Sequence, residues 1–384
     1  MVTFLPGRPG RLADVPSFER AIGGAESNVA CALAAFGHTA RWVSRVGADG
    51  FGDHLVERIA GYGVDVTAVR RDPARPTGVY FRTAGDRGTG AHEVAYYRAG
   101  SAASAMSVTD VDLTAARAAR VLHLTGITAA LSAECRTLLH TLTAPAPGRP
   151  LVSFDVNYRP GLWPDDEGLR LLLDLARRAD IVFVGADEAE QAWGVTGGPA
   201  AIRELLPEPN VLAVKQGAKG ATAFERREPG GRGGGGRAGE GASPPAFPAG
   251  SRAAAAARVG AGKAPSGGGT PKAPGRATGP RPTASASTFE PALDTAVVAT
   301  TGAGDAFAAG FLSATLRDLP LQTRLRHGHL FAAAALATPA DFAPPPARDH
   351  ADRLAALDDD AWGRLRLGPG WTQAEQAHEE ANIP

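Results

Sequence analysis

The chain has 384 residues, 44% hydrophobic and 21% charged, an ordinary globular balance with room for one large domain or two modest ones. Lys and Arg total 40, and so do Asp and Glu, so net charge argues for neither nucleic acid nor an anionic membrane as a partner. Two cysteines, Cys31 and Cys135, exclude a disulfide framework and fit buried thiols in a reducing cytoplasm; no apolar stretch reaches the roughly 20 residues of a membrane span, and residues 1–10 lack the apolar core of a signal peptide.

Near the start, Gly23-Gly24-Ala25-Glu26-Ser27-Asn28 opens a helix expected over 25–36 and stopped by Gly37. Paired glycines let backbone approach a ligand closely, and Asn28 offers both a donor and an acceptor to sugar hydroxyls; a simple helix cap would use the same residues. A strand is expected at 41–46 and a helix at 52–60. Residues 77–82 and 93–97 are β-like and flank a Gly-rich stretch, giving a hairpin that is either a small lid over the main sheet or an ordinary sheet edge. Arg98 follows Tyr96 and Tyr97 directly.

The middle of the chain alternates. Short apolar runs at 151–154, 181–184 and 211–214 are each followed by polar or Gly-rich residues and a helical pattern, with clear helices at 168–178 and 306–316. Strand, loop and helix in repetition give an α/β fold with a mostly parallel sheet, and ligands in such sheets bind beyond the carboxyl ends of the strands. Two features lie at those ends. Arg159 follows Asp155-Val156-Asn157-Tyr158, and Lys215-Gln216-Gly217-Ala218-Lys219-Gly220 is a glycine turn suited to a nucleotide, though equally to a plain hairpin, and without Walker A spacing. Residues from about 228 to 287 are almost all Gly, Ala, Pro, Ser, Thr and Arg. Such composition buries too little apolar surface to order itself, so disorder is expected there, replacing a hairpin tip between strands at 220–224 and 295–298.

The sharpest chemical signal is Thr300-Thr301-Gly302-Ala303-Gly304-Asp305 before an apolar helix. Glycines at a helix start leave amide N–H groups open to an anion, and the helix dipole adds partial positive charge. Asp305 at the same point can take a proton from an attacking hydroxyl, or can merely cap the helix. The nine histidines show no metal-ligand spacing, and no nucleophile elbow is present.

In this order, the motifs 23–28, Gly47-Ala48-Asp49-Gly50-Phe51-Gly52-Asp53 and 300–310 resemble the ribokinase-like (PfkB) carbohydrate kinases, over about residues 1–225 and 290–345. Within that family the residues Tyr96-Tyr97-Arg98-Ala99-Gly100-Ser101-Ala102, Leu122-His123-Leu124-Thr125-Gly126-Ile127-Thr128 and Phe154-Asp155-Val156-Asn157-Tyr158-Arg159 look most like 2-keto-3-deoxygluconate kinases. The resemblance implies a kinase domain over 1–345 with lid strands within about 1–20 and 75–100, and a helical or partly disordered tail at 346–384. It implies transfer of the ATP γ-phosphoryl group, with Mg²⁺, to a primary sugar hydroxyl. Asp305 would be the base and Gly302, Ala303 and Gly304 the anion hole. Gly24, Asn28, Tyr80, Tyr97 and Arg98 would hold the substrate. Arg159 would face either the substrate carboxylate or the nucleotide phosphates. Asn157, Lys215, Gly217, Gly220 and Thr301 would line the nucleotide side, and Asp187 and Glu190 would organise Mg²⁺. Ala299 replaces an Asp that commonly ligates a monovalent cation, which puts K⁺ activation in question. The resemblance also implies that Met1 begins inside the first strand, and that the lid can mediate a homo-oligomer. The alternatives are a ribokinase- or fructokinase-type enzyme, or a member that binds sugar without phosphorylating it.

Overall fold

The computed structural model describes residues 1–83, 93–163, 165–226, 285–368 and 370–372. The loop at 84–92 and most of the low-complexity segment expected to be disordered lie outside the described residues. Residues Met1–Arg226 and Ser285–Pro384 belong to one unit.

In chain order the strands are β1 (Val2–Pro6), β2 (Phe18–Ile22), β3 (Ser44–Gly47), β4 (Val69–Asp72), β5 (Val79–Arg82), β6 (Val94–Tyr97), β7 (Val121–Thr125), β8 (Leu151–Asp155), β9 (Ile181–Gly185), β10 (Val211–Lys215), β11 (Gly220–Arg226), β12 (Ser285–Pro291), β13 (Asp294–Thr295) and β14 (Arg366–Leu367). The helices are α1 (Ala25–Ala35), α2 (Gly50–Gly61), α3 (Leu113–Arg117), α4 (Gly126–Ala129), α5 (Ala133–Thr143), α6 (Asp166–Arg178), α7 (Ala186–Trp193), α8 (Gly198–Leu205), α9 (Ala303–Leu316), α10 (Leu321–Leu336), α11 (Arg348–Ala355) and α12 (Asp359–Arg364).

The main sheet has the order β12-β11-β10-β9-β8-β7. Strands β7 to β10 run parallel, and β11 and β12 are antiparallel additions. Strands β9 and β10 read as unbroken apolar runs because both faces are covered. Alternation splits each strand between two cores. Ile181, Phe183, Val211 and Ala213 pack with α1, α9 and α10, while Val182, Val184, Leu212 and Val214 pack with α5 to α8. Phe183 meets Phe311 of α9 edge-on at 5.4 Å. Losing a buried aromatic ring of this kind typically costs about 3–5 kcal/mol.

A second, four-stranded sheet has the order β2-β1-β5-β6. Its aromatic face is held by Phe4 stacked on Phe81 at 4.6 Å, with Phe18 edge-on to Phe81. Arg82 of β5 ties this sheet to the segment after α10, with Nε 2.9 Å from Asp341 Oδ1 and a bond to the Pro339 carbonyl. Strand β1 lies in this small sheet, paired to β2 and β5, and not in the main one. A separate parallel pair joins β3 to β4.

Three expectations are corrected. The strand expected from Arg41 begins only at Ser44, with Arg41 in an isolated bridge to Asp65. The partner of β11 is not 295–298 but β12, whose first residues fall inside the segment expected to be disordered. Ser285-Ala286-Ser287-Thr288 gives no apolar signal because an edge strand can be held by ladder hydrogen bonds rather than by burial. Val297 and Val298 are exposed, and only Thr295 joins a strand, the two-residue β13. Towards the carboxyl end, α11 and α12 dock on the domain through a paired Arg317–Asp352 contact and the buried Trp362. No helix among the described residues is long and apolar enough to cross a membrane.

Candidate active site

One cavity of about 1040 Å³ opens beyond the carboxyl ends of β8, β9 and β10 and is also lined by Tyr80, Tyr96 and Arg98 of the small sheet and its following loop. The start of α9 forms one wall. Gly302 sits just before the helix at φ +81°, and a Cβ there would collide with the Asp341 carbonyl, so only glycine fits. Ala303 turns its N–H to the Thr300 carbonyl, while Gly304 and Asp305, as first-turn residues, have no acceptor within the helix for theirs. Gly302, Gly304 and Asp305 line the cavity. The capping position belongs to Gly302, so Asp305 is not the helix cap.

Asp305 Oδ2 accepts a 2.9 Å bond from Asn28 Nδ2, which also reaches the Asp341 carbonyl at 3.3 Å. Burial pushes the Asp305 pKa up to about 6; the Asn28 bond opposes this, Asp155 adds to it, Lys215 opposes it and Glu26 adds to it. A carboxylate with that basicity is suited to taking a proton near neutral pH.

The opposite wall comes from the strand ends. Lys215 Nζ bridges both carboxylate oxygens of Asp155 at 3.1 and 3.2 Å. Glu188, in the first turn of α7, accepts a bond from the Gly185 N–H at 2.8 Å, and burial raises its pKa against the pull of Lys215. Arg159 Nη1 lies 3.7 Å from Glu188 Oε1. On the small-sheet side, the Arg98 guanidinium lies 4.3 Å from the centre of the Tyr96 ring. Burial lowers the Arg98 pKa, and the nearby Arg159 charge lowers it further against Tyr96. Among the described residues no carboxylate lies in ion-pair range of Arg98. Two guanidinium groups close enough to repel each other in one cavity form a place for an anion.

The sequence pattern of the pfkB family carbohydrate kinases matches residues 2–239 and 283–348 of this molecule. The chain belongs to that family. Similar proteins include the 2-dehydro-3-deoxygluconokinase of Thermoproteus tenax, 36% identical over 219 residues, 56% of this chain and 66% of that protein. The enzyme of the same name from Bacillus subtilis is 36% identical over 226 residues, 58% of this chain and 69% of that protein. The matched region thus spans about two thirds of the length of these relatives. The crystal structure of a PfkB protein from a Polaromonas species is similar at a TM-score of 0.67 and 28% identity, covering 93% of this chain and 97% of that one.

Most residues singled out from the sequence meet at this pfkB-family cavity: Gly24, Asn28, Tyr80, Arg98, Asn157 and Arg159 line it, as do Asp187, Lys215, Gly217 and Thr301. Four do not. Ala303 is turned to Thr300, as described. Tyr97 is 65% exposed and packs edge-on to Phe81, while its neighbour Tyr96 lines the cavity, because successive strand residues face opposite ways. Gly220 has φ +134°, and a Cβ there would collide with the Glu290 carbonyl, so this glycine serves the pairing of β11 with β12. Glu190 is exposed on α7, and Glu188 takes the inward place.

Sequence reasoning missed Asp155, Glu188, Tyr96 and Glu26. Glu26 lines the cavity and accepts hydrogen bonds from Thr125 and Thr128 at 2.7 and 2.6 Å. Asp155 was findable, since it is the last residue of β8, where ligand-facing groups belong. Among the described residues no cluster of three or more His, Cys, Asp or Glu side chains could hold a metal alone.

Proposed function

We propose that this protein transfers the γ-phosphoryl group of ATP to a primary hydroxyl of a sugar acid, 2-keto-3-deoxygluconate. The observation that carries the reading is Asp305, a half-buried carboxylate of raised basicity, beside the free first-turn amides of α9 in a cavity that also holds Arg98 and Arg159. The hydroxyl proton passes to Asp305, the hydroxyl oxygen bonds to the γ-phosphorus, and the bond to the ADP oxygen breaks. The amides at 304 and 305 meet the charge that grows on the phosphoryl oxygens; one preorganised donor of this kind is typically worth about 2.7–4 kcal/mol. Arg98 takes the substrate carboxylate, and Glu26, on the Asp305 side, disfavours the acid in the reverse orientation.

Mg²⁺ needs only one or two protein carboxylates when phosphates supply the remaining oxygens, and Asp187 and Glu188 line the cavity at the start of α7. Asp187 and Glu188 would hold it through the nucleotide, where it would neutralise phosphate charge. Ala299 offers a buried methyl group, so no K⁺ site is proposed there. A cytoplasmic location and a homo-oligomer through the small sheet, whose Val94 and Tyr97 are exposed, complete the reading.

The test is a panel of keto-deoxy acids, ribose, fructose and adenosine with ATP and Mg²⁺. The highest kcat/KM is expected for 2-keto-3-deoxygluconate, and Arg98→Leu should reduce it towards the value for a neutral sugar. Faster turnover of ribose or fructose than of every acid would overturn the sugar-acid assignment.

A further inference from the structure

The Asp155–Lys215 pair needs an explanation beyond packing. The two residues end strands on either side of β9, so the bridge spans the sheet at its ligand-binding end. The Asp155 side chain is 1% exposed and that of Lys215 19% exposed. Burying a charge pair is costly, and an apolar pair of similar volume would usually serve stability as well. The pair is therefore poor evidence of a purely structural role, and its position indicates another.

An ammonium carries three N–H donors. Two contact Asp155, and the third has no acceptor among the described residues. Both residues line the cavity. A Cβ placed on Gly304 would stand 3.4 Å from Lys215 Nζ, so the ammonium lies directly over the glycine turn that begins α9.

We propose that Lys215 is a second catalytic group, an ammonium held by Asp155 that contacts the transferring phosphoryl group opposite the amides at 304 and 305. The proposal rests on the kinase reading and deepens it. In the transfer, Asp305 takes the hydroxyl proton, the γ-phosphorus exchanges the ADP oxygen for the sugar oxygen, and ADP leaves with the bonding electron pair. Lys215 donates no proton; its charge offsets the charge spread over the phosphoryl oxygens. Asp155 is a positioning residue. Three surrounding charges matter to the ammonium. Asp155 and Glu188 hold Lys215 protonated against burial, and Asp305 adds to this effect.

The experiment compares wild type, Lys215→Met, Asp155→Asn, the double variant and Lys215→Cys, with folding followed by thermal melting. Each single variant is expected to lower kcat about a hundredfold, in the range of one lost transition-state contact, with sugar KM within about threefold. The double variant should be no slower than Lys215→Met, because Asp155 acts only through the lysine. It also removes both buried charges, which keeps the test open should Lys215→Met fail to fold. Treating Lys215→Cys with bromoethylamine restores an amine and should recover kcat at least about tenfold; Cys31 and Cys135 are buried. A folded Lys215→Met, or a folded double variant, within about threefold of wild-type kcat overturns the proposal. So does a loss confined to melting temperature, without recovery on aminoethylation. If Asp305→Asn abolishes transfer and Lys215→Met does not, the kinase reading stands and this proposal falls. If wild type phosphorylates no sugar, both fall.

Discussion

Two helix starts face the cavity, and they were not equally legible. At α9 the backbone at position 302 takes a φ of +81° that favours glycine, a Cβ there would strike the Asp341 carbonyl, and Asp305 falls into the cavity. At α7 the sequence offers Asp187-Glu188-Ala189-Glu190, and composition alone does not say which acid turns inward. Residues 188 and 190 are about 200° apart around a helix, so only one of the two can face the ligand. The structure chooses Glu188, whose carboxylate caps the Gly185 N–H, and leaves Glu190 in solvent. Glycine fixes placement through sterics; a run of acids leaves it to packing.

The largest effect should come from the α9 side. Asp305→Asn is expected to lower kcat at least about a hundredfold while sugar affinity by calorimetry stays nearly unchanged, since a general base acts only in the transition state. Near-normal turnover would remove the base and put the two helix starts on equal terms. On the α7 side, Glu188→Gln is expected to lower kcat/KM for ATP about tenfold, and Glu190→Gln less than about twofold. A larger loss for Glu190→Gln than for Glu188→Gln would reverse the assignment. The same contrast occurs on β6: Tyr96→Ala should raise sugar KM severalfold, and Tyr97→Ala should change it less than about twofold. A Tyr97 effect on subunit association without one on KM would sharpen the division between its two faces.

A smaller effect concerns stability. The Asp305 pKa is raised above its unfolded value, so the folded state binds this proton more tightly, and stability falls as pH rises through about 6. Asp305→Asn should therefore melt higher than wild type at pH 8, with the gap narrowing as pH falls towards about 4. A gap independent of pH, measured by calorimetry, would place Asp305 in a solvated setting.

Much of the main sheet was legible because β8, β9 and β10 are buried on both faces and read as plain apolar runs. Strand β12 was not, because an edge strand of Ser, Ala and Thr carries no burial signal. In the site, residues fixed by backbone conformation were found, among them Gly24 at φ +139° and Gly302 at φ +81°. Residues whose role depends on a side chain's facing were missed or misassigned by one or two positions, as with Tyr96 for Tyr97 and Glu188 for Glu190. Gly220 shows the converse: a glycine turn whose freedom is used by a neighbouring strand rather than by a ligand.

Phosphoryl transfer in this cavity depends on Asp305 accepting a proton from the sugar hydroxyl. Its most direct test is kcat/KM as a function of pH for wild type and Asp305→Asn, with folding checked at each pH. Wild type should lose activity as pH falls through about 6, where the carboxylate becomes protonated, and the variant should lack that inflection. A flat wild-type profile across that range, or the same inflection in the variant, would contradict it.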